Sequence, residues 1–545
     1  MKQKWKLMIS LLACGTILTA CGNNKKDEQT EQKVALTTAG EFPIVKEKLT
    51  MSMMGPNVGM AEWKDMAFFK DYAKKTNIQF DFTTPPSSDF ATKLNLAFAS
   101  GDIADILFAP GSNALTPAME MDYGGQGILV ALEEMIDENM PNFSKLLKED
   151  PNLKKAITTP DGHIYSLPTI PRSTSAIWGS NPMWLRGDWL EALNVTELPK
   201  TTDEFYRLLK RFKEEDPNGN GKADEIPLSS SKDFGIRTWL MGAFGIKGSS
   251  NGIEENNGVV RYYPMTENYK AYLEYANKLY KEGLLDKETF SLSVEQFTAK
   301  GQSNQIGAFQ TWTAYFVTGQ TEKDSMNNPM LAPLTSEIAD KPVLPMGLPI
   351  GRETFAITNK CPSPEAALRW VDYFYSAEGS DYLINGPEGA YWQWETNDAG
   401  EKVRVHTQKD VDPAQYENGR AAATPAYGLA IPNLSSPADI SDIRIEANQE
   451  PDATFAEFIK KESDEKIKPY VELAYPTLYL SNEESDQVQA TATDLQTYIE
   501  QMEAKFITGV EPLDNWDKYV KTIQSMGVDE YVKVYQTAYD RWEKQ

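Results

Sequence analysis

Histidine and cysteine are nearly missing from this chain of 545 residues: two histidines, His163 and His406, and three cysteines, Cys14, Cys21 and Cys361. Two imidazoles without an H-E-x-x-H run leave no zinc-hydrolase signature. The run GSSNG at 248–252 spells a nucleophile elbow around Ser250, but IEENNG follows where a helix belongs, so it reads as a polar turn. No G-x-x-x-x-G-K-[ST] occurs, which excludes nucleotide hydrolysis through a P-loop. Positive charge is also short. Lys and Arg number 54 against 79 Asp and Glu, a net charge of −25, the wrong sign for binding nucleic acid. Beyond the N-terminus no apolar run approaches the ~18 residues of a membrane span. Paired carboxylates for glycosidase chemistry cannot be read from sequence, because their separation is invisible there. No catalytic residue is nominated.

What the N-terminus does carry is an export pattern. Lys2, Lys4 and Lys6 precede the mostly apolar stretch 7–20, which ends in Leu18-Thr19-Ala20-Cys21. A basic head before an apolar run too short to span a bilayer reads as a signal peptide over 1–20. Leu18–Cys21 resembles the bacterial lipobox, which makes Cys21 the lipidation site, and two or more acyl chains give stable anchoring. Residues 21–44 are polar and lack apolar periodicity, so a flexible tether is expected there. With Cys14 removed and Cys21 lipidated, Cys361 has no internal partner and reads as a quiet structural residue. The chain is therefore expected at the cell membrane, lipid-anchored and facing outward.

Apolar periodicity then switches repeatedly between two and 3.6 residues. Residues 48–55 alternate as a strand, Trp63, Met66, Phe69 and Ala73 form a helical stripe, and Ile78, Phe80 and Phe82 return to period two. The spacing predicts further helices over 88–99, 202–215, 268–283, 364–375 and 487–506, and a buried strand in DIADILF, 102–108. Such alternation implies an α/β fold of mainly parallel sheets flanked by helices, and a chain this long needs more than one core. Ligands of such sheets sit at the carboxyl ends of strands, which nominates the loop after Phe108, with Asn113, as a site wall.

DPNGNGKADEIP, residues 216–227, sets oxygen-bearing side chains on alternate residues with Gly221 at the sixth position. Asp216, Asn218 and Asn220 take positions one, three and five of an EF-hand loop, the Lys222 carbonyl takes seven and Asp224 takes nine. Position twelve is Pro227 where a glutamate belongs, and Glu225 is the available substitute. An extended segment follows, so there is no helix pair to open; a structural Ca2+ is expected rather than a switch. Aromatic residues supply the second signal. Trp178, Trp239, Trp312, Tyr315, Trp392 and Trp394 lie near strand ends or in Gly-, Asn- and Pro-rich loops. A pyranose packs its apolar C–H face on such rings while its hydroxyls need polar partners. Trp312, just past the short buried run IGAF, is foremost among them. Arg172 and Arg352 sit in Pro/Gly-rich loops where either could clamp a carboxylate.

Several blocks together carry a family likeness: KLNLAFASGDIADILF (93–108), PDGHIYSLP (160–168), WLRGDWLEAL (184–193), TTDEFYRLLKRFKEEDPNGNGKADEIPLS (201–229), PEAALRWVDYFYSAEG (364–379) and KFITGV with WDKYV (505–520). They resemble the extracellular solute-binding proteins of carbohydrate ABC importers, in the large lipoprotein subfamily of Gram-positive bacteria. The resemblance implies a two-lobed, Venus-flytrap α/β fold with a hinge, an oligosaccharide in the cleft and ABC permease subunits as partners. It puts the first lobe at about 45–170 and 345–415, and the second at about 175–335 and 420–545, in a monomer. It also implies that Asp216, Asn218, Asn220, the Lys222 carbonyl, Asp224 and Glu225 ligate a structural calcium. A binding protein of this kind is not an enzyme. Two other readings use the same residues: a surface lipoprotein lyase or glycoside hydrolase acting on polysaccharide, and a sugar receptor feeding a sensor kinase.

Overall fold

A computed structural model describes residues 34–544 apart from 172–180, 233–234, 249–250, 346–349, 409–412, 436–442, 445 and 449–452, with backbone alone at 413–417, 453–454 and 456. Two large hydrophobic cores organise these residues. Buried side chains from Ile44 to Ile170 and from Ile350 to Ile431 build the first; those from Met183 to Leu344 and from Ile467 to Val534 build the second. The chain therefore passes between the two lobes three times.

The first lobe's sheet has six strands in the order Leu434–Ser435, Ser166–Pro171, Gly351–Ile357, Ile106–Phe108, Leu49–Met54, Ile78–Thr83. Leu49–Met54 runs parallel to Ile78–Thr83 and Ile106–Phe108, whereas Gly351–Ile357 is antiparallel to both of its neighbours Ile106–Phe108 and Ser166–Pro171. Ile106–Phe108 is buried throughout, as a strand covered on both faces must be. In Leu49–Met54 the period of two shows directly: Met51 and Met53 are buried while Thr50 is exposed. Gly55 follows it. A Cβ there would lie 2.2 Å from the Trp63 ring and 2.6 Å from the Phe108 carbonyl oxygen, so a side chain would force the buried indole off the strand end.

Four strands make the second sheet, in the order Met330–Leu331, Met183–Leu185, Ile306–Gln310, Ile226–Ser229. The last two are parallel, and Met183–Leu185 is antiparallel to both its neighbours. The helix Thr202–Glu214 turns Phe205, Leu208, Leu209 and Phe212 into this core. It starts on Thr201, whose hydroxyl accepts from the Glu204 N–H at 3.1 Å. The long helix Asn482–Thr508 opens with a capping box between Ser481 and Glu484 and packs along Glu267–Lys281.

Two stretches depart from the sequence expectation. The described part of the expected tether, 34–44, is built into the first lobe: the Thr37 N–H donates to the Ile44 carbonyl at 3.0 Å, and the Ile44 N–H donates to the Thr76 carbonyl at 3.1 Å. Phe42 stands edge-on to Tyr373 at 5.2 Å, and the Lys75 ammonium lies 4.6 Å from the Phe42 ring centroid and 4.3 Å from that of Tyr373. Residues 420–435, expected in the second lobe, pack on the first. Ile431 is in its core, and Leu434 and Ser435 pair with Ile170 and Pro171. Gly40 and Pro43 in one stretch, and Pro425, Gly428 and Pro432 in the other, break any apolar period, so the partner surface decides the place of each. Cys21 lies outside the described residues.

Overpacking at Gly55 costs about 1–3 kcal/mol. Gly55→Ala is expected to lower the melting temperature of the first lobe by several degrees in calorimetry and to leave the second lobe's transition in place.

Candidate functional site

The chain leaves the first sheet at Pro171 and enters the second at Met183; it leaves the second at Leu331 and re-enters the first at Gly351. Met183 pairs with Gln310, so the carboxyl end of Ile306–Gln310 faces this junction. Ile226–Ser229 runs parallel to it and ends on the same side. In the first sheet, Ile106–Phe108 and Leu49–Met54 likewise end beside the start of Gly351–Ile357. The two sheets therefore bring their carboxyl ends to one junction, as ligand-binding α/β sheets do.

On the second lobe this end is short of hydrogen bonds. Ser230, Gln310 and Thr311 are fully buried, yet Ser230 Oγ, Gln310 Oε1 and Thr311 Oγ1 have no partner. Their remaining groups are tied down: Gln310 Nε2 donates to the Asn181 carbonyl at 2.7 Å, and the Trp184 indole donates to the Thr311 carbonyl at 2.9 Å. The next residue, Trp312, is 60% exposed, with its ring 6.0 Å from Phe316. Unpaired acceptors and hydroxyls beside an exposed indole offer a ligand both hydrogen-bonding edges and an apolar face.

On the first lobe the strand start is bent. A register shift between Gly351 and Phe355 marks a bulge, and Glu353 takes a φ of +56°. Its carbonyl accepts from the Gly111 N–H at 2.8 Å, and the Thr354 carbonyl accepts from Ala109, itself at φ +54°, at 2.7 Å. Two non-glycine residues in the left-handed region cost of order 1–3 kcal/mol each and mark a place where geometry is held for a purpose. The bulge sends Arg352 across the Tyr479 ring, with 3.9 Å from its guanidinium carbon to the centroid, and buries Glu353 completely.

The nominated residues fall into distinct settings. Trp312 and the half-buried Tyr315 stand together after the second-lobe strand, and Asn113 is exposed in the turn after Phe108. Trp239 does not join them as a ring platform: it is 1% exposed and packs edge-on to Phe205 at 5.9 Å. Its indole N–H, however, is buried without an acceptor. Arg352 is half-buried over Tyr479 instead of standing open as a carboxylate clamp. Trp392 and Trp394 lie on a separate small sheet with Lys402–His406 and Ile443–Arg444. There Trp392 is 7% exposed and donates to the Asn385 and Gly386 carbonyls, while Trp394 is 40% exposed. Arg172, Trp178 and Ser250 lie outside the described residues. Sequence reasoning missed Ser230, Gln310, Thr311, Glu120, Glu353 and Tyr479. None of these leaves a readable mark in the sequence.

The 216–225 loop sits at the opposite end of the second sheet. Asp216 ends the preceding helix at φ +47°, and Gly219 and Gly221 are also left-handed. Asp216 accepts from the Asn220 and Gly221 N–H groups at 3.2 and 3.0 Å, and the Asn218 and Asn220 amides donate to Asp224 at 3.1 and 3.0 Å. Asn218 also donates to the Asn304 carbonyl at 3.2 Å, fastening the loop to the start of Ile306–Gln310. Among the described residues no three His, Cys, Asp or Glu side chains gather as a metal cluster. Half of the donors expected here are amide and backbone oxygens, though, and one carboxylate of the loop is disfavoured as it stands. Burial and then the Asp216 and Asp224 charges push the Glu225 carboxyl up, and its Oε1 is buried with no donor.

Against known proteins, residues 59–381 match the model of the bacterial extracellular solute-binding proteins. The chain is 29% identical over 556 residues to the fructooligosaccharide ABC transporter substrate-binding protein FusA of Streptococcus pneumoniae, covering 99% of this chain and 98% of FusA. A solved structure of S. pneumoniae FusA in complex with kestose superposes with a TM-score of 0.66 at 27% identity, over 91% of this chain and 99% of that one. A FusA EF-hand mutant in complex with fructo-nystose gives 0.66 at 26% with the same coverage. The fold is also that of an HMO-binding solute-binding protein from Bifidobacterium longum infantis, with a TM-score of 0.71 at 22% identity over 91% and 99% of the two chains.

Removing a buried hydroxyl that has no partner costs little and relieves desolvation. Thr311→Val is expected to leave the melting temperature of the ligand-free protein unchanged or slightly raised in thermal unfolding.

Proposed function

The chain belongs to the bacterial extracellular solute-binding protein family, and from that premise we propose that it captures an oligosaccharide between its lobes and hands it to the membrane subunits of an ABC transporter. The observation that carries this reading is Trp312, exposed at the carboxyl end of Ile306–Gln310 beside the unpaired groups of Ser230, Gln310 and Thr311. The indole takes a sugar's C–H face and the unpaired atoms take its hydroxyls. Full-length similarity to a fructooligosaccharide-binding protein points to a neutral sugar of that kind. The setting of Arg352 agrees, since its guanidinium lies over Tyr479 with Nε 3.7 Å from Glu353 Oε1 and its Nη1 buried, rather than open to an acidic sugar. Asn113 and Tyr315 flank the same junction and are assigned to the rim; Trp394 is assigned to the site's outskirts. The proteins this chain resembles are solute-binding proteins, which supports reading it as a receptor rather than an enzyme.

A lipid on Cys21 would hold the receptor at the outer face of the membrane; among the described residues no helix is long and apolar enough to cross one. Asp216, Asn218, Asn220, the Lys222 carbonyl, Asp224 and Glu225 are the proposed calcium ligands. The cation would supply the charge that Glu225 Oε1 lacks and would fasten the end of Thr202–Glu214 to the strand that follows. A solved relative has an EF-hand, which supports the assignment.

Isothermal titration with kestose, nystose and oligogalacturonate tests the sugar reading. Micromolar affinity for the neutral sugars, about −8 kcal/mol, is expected, reduced about 10- to 100-fold in Trp312→Ala at an unchanged melting temperature. No heat with any of the three would overturn it. For the metal, a chelator is expected to lower the melting temperature and Ca2+ to restore it by mass action. In Glu225→Gln both shifts should shrink; an unmoved melting temperature in the parent protein removes the calcium assignment.

A further inference from the structure

Where the lobes touch, two carboxyl groups are buried against each other. Glu120 belongs to the helix Pro117–Gly125 and Glu353 to the bulge in Gly351–Ile357; both are 0% exposed. Into them reaches Tyr479, from the segment that leads into Asn482–Thr508 of the second lobe. Its hydroxyl donates to Glu120 Oε2 at 2.8 Å. The Arg352 guanidinium covers the Tyr479 ring and stands 3.7 Å from Glu353 Oε1. Behind Tyr479, Arg541 donates to its carbonyl at 3.1 Å while binding both oxygens of Glu484 at 2.8 and 2.7 Å. Asn482 donates to Asp122 one turn along, Ser166 lies against Glu120, and Tyr165, with Asp161 at 2.9 Å, closes the far side.

The hydrogen bonds do not close if both carboxyls are ionised. Glu120 Oε1 and both oxygens of Glu353 are then buried with no donor, and two negative charges on fully buried side chains face a single guanidinium. One proton resolves this. Carried by Glu353 it donates to Glu120, which satisfies both orphaned groups and leaves one carboxylate against one arginine. We propose that Glu120 and Glu353 share one proton and that this proton locks Tyr479 of the second lobe into the first, so that its release to solvent loosens the contact between the lobes.

The direction with pH follows. Burial, more than Arg352 offsets, pushes Glu353 from 4.5 up to about 8, and burial raises Glu120 as well. A carboxyl whose pKa is higher in the locked form supports the lock fully below about 4.5, and that support is lost as pH rises through about 8. Within that window the locked-to-open ratio falls by up to tenfold per pH unit, and above it the ratio levels off. The lock is independent of which solute the receptor takes.

Amide hydrogen exchange on the intact protein, corrected for the intrinsic rate, reads this between pH 5.5 and 9. Protection in the stretches 115–126 and 476–486 is expected to fall by up to tenfold per unit and to level above about 8. Glu353→Gln, whose amide donates to Glu120 at every pH, is expected to flatten the profile, and Glu120→Gln serves the same purpose should the first variant not fold. A flat profile in the parent protein overturns the lock, as does a parent-like slope in the variants. An equal slope in the distant helix Thr202–Glu214 would mean global unfolding and also overturns it.

Discussion

Burying a polar atom without a partner costs about 1–3 kcal/mol, and much of what this chain is built to do follows from where it accepts that cost. Three such places stand out among the described residues. Ser230, Gln310 and Thr311 carry theirs at the carboxyl ends of the second lobe's strands, Glu225 in the 216–225 loop, and Glu120 with Glu353 where the lobes meet. Each lacks a different thing. Neutral hydroxyl and amide groups beside an exposed indole want the hydroxyls of a sugar; a carboxylate crowded by two others wants a cation; two carboxyls facing one guanidinium want a proton. The rest of the structure holds these groups in place while leaving them unpaired.

Holding them takes two cores joined by three strands of chain, and the bulge at Gly351–Ile357 shows how the junction and the site are made from the same residues. A regular strand would alternate Arg352 and Glu353 to opposite faces of the sheet. The bulge, with Glu353 at φ +56°, instead sends the guanidinium over Tyr479 and the carboxyl inward to Glu120. Backbone strain at Ala109 and Glu353, which exchange hydrogen bonds through Thr354 and Gly111, is what the contact between the lobes is anchored to. A hinge that opens must move Tyr479 relative to these residues, so closure and the state of the buried pair are one equilibrium.

What the sequence made legible was whatever repeats or has a fixed spacing. Met51 and Met53 at period two, and Phe205, Leu208, Leu209 and Phe212 at helical spacing, are buried where the pattern puts them. The oxygen ladder from Asp216 to Glu225 is readable because one loop supplies every group. Trp312 could be singled out because it ends a short apolar run. Trp239 carries an equally plausible local signal and is core, since burial is set by Phe205 and the neighbouring helices and not by its own stretch. The Glu120–Glu353–Tyr479 cluster had no signal at all: its members lie more than a hundred residues apart and meet only through tertiary packing. Residues 34–44 misled for the opposite reason, because a short irregular segment looks like a tether until the surface that receives Phe42 and Ile44 is in view.

The strand Ile306–Gln310 connects the two ligand chemistries. Its first residue follows Asn304 and Gln305, to which Asn218 and Asp224 of the loop are bonded, and its last precedes Thr311 and Trp312. Five residues at about 3.3 Å each separate the two ends, so a cation in the loop cannot touch a sugar at Trp312. The proposed cation would act only by fixing the strand on which Trp312 is mounted. Fixing it would matter because Gln310 Oε1 and Thr311 Oγ1 are unpaired: a strand free to shift would turn those groups toward water and recover the desolvation cost, dissolving the site. Charge at one end of the strand would thus keep unsatisfied groups buried at the other, and the proposed metal, with no part in recognition, would still set how much of the proposed site is ready before the solute arrives.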